Sequence, residues 1–141
     1  MLNVKGLSVL ACLVLASCGT AGQNQQTPAF SEIEQTDTIQ AIGTEPFWAV
    51  VVKGDRLTYT TPEDQTGMAV PVQRFAGNSG LAFNGTLAGQ PLDLLVTKGN
   101  CSDGMSDRRY PFTATLKIGE DQRSGCAWSG DKPAASLGGA A

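Results

Sequence analysis

Residues 112–118 read FTATLKI. Phe112, Ala114, Leu116 and Ile118 are apolar, and Thr113, Thr115 and Lys117 between them are polar. A period of two places one set on each face of an extended strand. Leu81, Phe83, Gly85 and Leu87 alternate in the same way with Ala82, Asn84 and Thr86. Leu57 and Tyr59 alternate with Thr58 and Thr60. No stretch of 11 or more residues between 41 and 128 carries a convincing 3.6-residue period. This chain has no amphipathic helix from which to build a core, so its strands must pair with one another.

The remaining segments agree. Phe47 to Val52 is aromatic and β-branched, and Lys53-Gly54-Asp55 turns it back into Arg56–Thr60 as a hairpin. Met68 to Phe75 is another run, and its Pro71 cannot donate to a ladder, which predicts an edge strand or a bulge. Residues 76–80 and 88–90 are turns, Pro91 to Lys98 sets Leu92, Leu94 and Val96 on one side, Gly119 to Gly125 is a polar turn, and Cys126-Ala127-Trp128 starts the last strand. About seven short strands joined mostly by tight turns make an antiparallel meander, and closure removes its exposed edges. The fold class is therefore all-β: a small antiparallel meander closing into a β-barrel or a strongly curved sheet, with one disulfide.

The start of the chain carries a different signal. Lys5 gives a positive n-region, and Leu7 to Ala16 is an apolar run of about ten residues, too short to span a bilayer. Leu15-Ala16-Ser17-Cys18 matches the bacterial lipoprotein signal. Cleavage before Cys18 would leave diacylglycerol on its sulfur and an acyl chain, such as palmitate, on its amine. The competing reading is an ordinary secretory peptide that happens to end in cysteine. Gly19, where Asp would favour inner-membrane retention in a Gram-negative host, points to the outer membrane with the domain facing the periplasm. The expected layout is a signal peptide over 1–17, lipidated Cys18 with a flexible polar tether to residue 40, a barrel-like domain over 41–128, and a disordered Gly/Ala-rich tail over 129–141.

Composition narrows the chemistry. The formal charge is −3, and removing residues 1–17, whose one charged residue is Lys5, makes it −4. No basic stripe exists for nucleic acid. Histidine is absent, which removes the usual general base and the commonest metal ligand. Cys12 leaves with the signal and Cys18 carries lipid, so Cys101 and Cys126 remain, and in an oxidising compartment they pair. No metal site, catalytic residue or cofactor beyond the lipid on Cys18 is expected.

The densest polar segment is CSDGMSDRRYPF, residues 101–112. With Gly43-Thr44-Glu45-Pro46-Phe47-Trp48 and Gly125-Cys126-Ala127, it resembles an uncharacterised family of bacterial envelope lipoproteins whose domain is sometimes found beside META domains. The resemblance covers about residues 43–128 and implies a periplasm-facing β domain without an assigned activity.

Two accounts of the motif compete. In the first every residue is structural: Asp103-Gly104 turns, Ser106 and Asp107 cap the next turn, Arg108 or Arg109 forks onto Asp103 or Asp107, and Pro111 holds Tyr110 extended. In the second, Asp103, Asp107, Arg108, Arg109 and Tyr110 form a pre-ordered recognition loop for an envelope protein or glycan. Membrane-bound inhibitors of C-type lysozyme offer an architectural analogy, as small lipid-anchored barrels with a disulfide and a polar loop, but their sequence motif is not found here. Inhibition of an envelope hydrolase is thus the alternative function. A third, weaker reading makes Asp103 and Asp107 a catalytic carboxylate pair or calcium ligands. Trp48 either closes one barrel end or offers an exposed ring for stacking, and Trp128 is assigned to the core near the disulfide. Residues 60–67 read as a solvated loop.

Overall fold

The computed structural model describes residues 28–136. The expected signal segment, Cys18 and the first part of the expected tether lie outside the described residues, as do residues 137–141. Among the described residues every regular element is a strand: β1 (Ile39–Thr44), β2 (Phe47–Lys53), β3 (Arg56–Thr60), β4 (Met68–Ala76), β5 (Gly80–Leu87), β6 (Gln90–Cys101), β7 (Arg108–Ile118), β8 (Asp121–Ser129) and the short β9 (Ala135–Ser136). Each of β1 to β7 pairs antiparallel with the next, and β8 pairs back onto β1 with Ala41 opposite Ala127. The meander is an eight-stranded closed barrel. At this strand number the interior is just wide enough for side chains. Leu57, Phe83, Leu92, Leu94, Phe112 and Leu116, all fully buried, fill it.

Several expectations on local structure change. β1 is an additional strand. Its inward positions Ile39, Ala41 and Gly43 include two residues with almost no side chain, which hides the alternation. β8 begins at Asp121, so the turn shrinks to Gly119-Glu120. Pro71 is on no edge: it is the last residue of β4 paired to β3, opposite Arg56, and pairing to β5 begins at Val72. Its missing N–H therefore falls where β4 passes from one partner to the other. Pro111 illustrates the same economy. Phe112 pairs with Lys98 and Tyr110 with Cys101, so Gly99 and Asn100 together oppose Pro111 in a bulge.

Both expected domain boundaries also move. Phe30 and Ile33 lie in the region assigned to the tether, yet both are buried in the core. Phe30 meets Phe112 edge-on at 6.1 Å, its amide donates to the Gly77 carbonyl at 2.7 Å, and Arg74 donates to the Ile33 carbonyl at 2.9 Å. The segment plugs one end of the barrel. Glu32 clamps it, accepting from Lys98 at 2.6 Å and Lys132 at 3.1 Å. These two ammonium groups, Lys98 foremost, hold the Glu32 carboxyl below its usual range. At the other boundary Ser129 is fully buried, Gly130 and Asp131 donate to Asp37, and β9 pairs with Arg108 and Arg109, so residues 129–136 of the expected tail belong to the folded domain. Two apolar side chains in a polar segment give too little periodicity to mark it as core.

At the opposite end a hydrogen bond crosses the rim from β8 to β3. Arg123 faces inward at the rim, donates to the Tyr59 hydroxyl at 2.7 Å and reaches Asp121 through Nε and Nη2 at 2.8 and 2.6 Å.

Candidate functional site

The 102–107 loop leaves β6 at Cys101 and returns into β7 at Arg108. The Cys101–Cys126 disulfide, with Cα atoms 5.6 Å apart, pins its base to β8. Cys126 faces outward there, opposite Thr113 of β7 and Ile42 of β1. The loop thus lies against the outer wall of the barrel.

Asp103 organises the loop. Its Oδ1 accepts the amides of Met105 at 2.9 Å and Ser106 at 2.8 Å. Its Oδ2 accepts the Ser106 hydroxyl at 2.8 Å and the Tyr110 hydroxyl at 3.0 Å. These donors, the two amides foremost, hold the carboxyl well below the usual carboxylate range. Tyr110 is buried, leans on Trp128 at 5.4 Å, and has its phenol pushed up by burial and then by Asp103. A carboxylate this strongly held is a cap rather than a proton carrier at neutral pH.

The other motif residues are not drawn into this network. Asp107 and Arg108 are exposed, and Arg109 is half-buried. Among the described residues no ion pair joins either arginine to Asp103 or Asp107, so the expected fork is not formed. The strand segment that carries both arginines is covered by β9 instead. Trp128 is half-buried on the outer face against Tyr110 rather than in the core. It shares the outward parity of Cys126, two residues before it in β8.

Trp48 is 3% exposed, whereas its neighbour Phe47 is 50% exposed. The indole has no open face for stacking; the exposed ring is that of Phe47. Phe47, Ile42, Ala49, Pro62 and Met105, with the edge of Trp48, line an apolar cleft of about 410 Å³ on the outer wall. Asp103 borders it. A second recess of about 380 Å³ adjoins on the far side of Asp103 and presents the hydroxyl-bearing residues Ser102, Thr113, Thr115 and Ser124. The fold therefore brings two regions far apart in sequence, the GTEPFW turn and the CSDGMSD loop, onto one groove. Met105 was not singled out by its sequence, yet it is 69% exposed at the cleft. Large exposed apolar side chains on a turn give no periodic signal, so only their convergence with Phe47 marks them.

Chemically, the groove offers an apolar floor beside hydroxyl donors and acceptors. Among the described residues no group of three or more His, Cys, Asp or Glu side chains is placed to hold a metal ion. No family model, no curated protein and no solved structure matches this chain.

Proposed function

We propose that this protein is a lipid-anchored envelope lipoprotein whose barrel displays a binding groove to the periplasm, most simply from the outer membrane. The anchoring half of the reading rests on Lys5, the Leu7–Ala16 run and the Leu15–Cys18 lipobox. The observation that carries the binding half is the pairing of exposed Phe47 with exposed Met105 across an apolar cleft. The disulfide and Asp103 hold one wall of that cleft, which lowers the entropy cost of association. The partner has an apolar group for the Phe47 side and polar groups for the Thr113–Ser124 side, as an envelope protein segment or a substituted glycan does. The module acts by binding rather than turnover, because the four donors on Asp103 leave it neither proton nor free lone pair for acid–base work.

The test is affinity capture from envelope extract, with the Cys18→Ser mature chain as bait and the same chain carrying Phe47→Ser and Met105→Ser as control. A partner held by the first and lost by the second supports the reading. Equal capture by both, or none by either, overturns the groove. A captured hydrolase whose turnover stops at one equivalent of bait would identify the protein as an inhibitor. For the anchor, Cys18→Ser should move the protein from the membrane to the soluble fraction, and continued membrane retention would overturn it.

A further inference from the structure

The chain enters the barrel at a defined place. Phe30 donates its amide to Gly77 in the turn between β4 and β5. Two residues before Gly77, Phe75 projects from the outer wall with 66% of its surface exposed. Phe75 does not stand alone. It lies opposite Ala82 on β5, and Ala82 lies opposite Leu95 on β6, itself 42% exposed. Adjacent strands are about 4.8 Å apart, and all three side chains share the outer face. Ala82 is too small to separate its neighbours, so the row is one apolar surface beside the point where the tether joins the domain.

Phe30 follows Cys18 by 12 residues. Whatever their conformation, these residues span no more than about 40 Å when fully extended. A lipid on Cys18 therefore keeps the Gly77 turn, and Phe75 two residues before it, within about 50 Å of a bilayer. The effective concentration of membrane at the row is high, so contacts too weak to hold a free protein are populated. Aromatic rings favour the bilayer interface, where one edge is apolar and the other wet. The next outward row, Asn84 joined to Asp93 at 2.6 Å and Lys117 opposite Asp93, carries one acid and one base, so net attraction to anionic headgroups does not drive the contact.

We propose that the outer-wall row Phe75–Ala82–Leu95 is a bilayer-contact face, seated in the interface of the membrane that holds Cys18. The inference rests on the lipid-anchor reading above. Docking through this row lays the β4–β6 wall of the barrel on the membrane. Around the eight strands β1 stands opposite β5, so the groove on β1 and β2 points away and is presented to the periplasm.

The test uses the mature chain, residues 18–141, with its disulfide formed and a maleimide phospholipid coupled to Cys18. It is placed in bicelles of phosphatidylethanolamine and phosphatidylglycerol that contain a spin-labelled lipid. Loss of amide signal is expected at Phe75, Ala82 and Leu95, little at Phe47 and Trp48, and unchanged by added salt. Phe75→Ser with Leu95→Ser should restore the signals while the rest of the spectrum keeps its positions. Uniform loss around the barrel, or none at the row, would overturn the face. So would concentration-dependent dimerisation abolished by the same substitutions, which would assign the row to a second copy. The anchor is judged separately by the mass of the chain purified from bacterial membranes. An unmodified Cys18 there would overturn the anchor, and with it this role, whatever the coupled protein shows.

Discussion

The indole of Trp48 lies across the bare Cα of Gly43, its cross-strand partner, and reaches on to Gly125 of the next strand. A Cβ on Gly43 would overlap the indole ring, and one on Gly125 would overlap the Ile42 carbonyl and come within 2.9 Å of the indole Cζ2. Gly43, Trp48 and Gly125 are thus one packing unit contributed by β1, β2 and β8, across the seam where the barrel closes. The shared appearance of GTEPFW and GCA in one sequence has a steric cause.

Gly43→Ala should therefore destabilise the domain by about 1–3 kcal/mol through overpacking. In Trp48→Leu the same alanine should cost less, because the clashing ring is gone. Chemical denaturation of the two single variants and the double variant measures the coupling. Additive losses would mean that Gly43 is required for another reason.

Asp103 links stability to acid. Its folded-state carboxyl titrates below its unfolded value, so the stabilisation is complete above about pH 4 and is lost as pH falls toward the folded-state value. The melting temperature of the native chain should exceed that of Asp103→Asn by a margin that narrows as pH drops below about 4. Glu32 and Asp37, also held below their usual ranges, contribute equally to both proteins and cancel. A margin that stays constant into strong acid would overturn the four-donor account.

The disulfide closes a loop with a sequence separation of 25. Its removal in Cys101→Ala should cost about 3–4 kcal/mol in the chain-entropy model, and titration should find one new thiol. An unchanged melting temperature with no added thiol would show that the two cysteines are not bonded.

Ile33 tests where the domain begins. It is 1% exposed in the barrel plug, so Ile33→Ala should cost about 2–5 kcal/mol. A chain starting at residue 41 should unfold more easily than one starting at residue 28, since it also lacks Phe30 and the Glu32 clamp. Equal stability of the two truncations would return residues 28–40 to the tether.

The strands with clean alternation, such as Phe112–Ile118 and Leu81–Leu87, were legible because one face is packed and the other wet. The Cys101–Cys126 pair followed from the count of cysteines left after Cys12 and Cys18. The turn role of Asp103 was legible too, since an acid before glycine caps its neighbours. Arg123 was not: a charged residue in a polar stretch reads as turn, and its inward position makes sense only once Tyr59 stands across the rim.

Local order thus came from the sequence by itself: which segments extend, where they turn, and that two cysteines remain to be joined. These depend on neighbours within a few residues, and period and turn chemistry report them directly. The tertiary structure decided the rest. It chose closure over an open sheet by pairing Ala41 with Ala127, and it placed Phe30 and Ile33 in the barrel end. It turned Phe47 rather than Trp48 outward and set Met105 beside it to form a groove. Each of these outcomes depends on contacts between residues distant in the chain, and a pattern read along one strand carries no record of which surface will cover it.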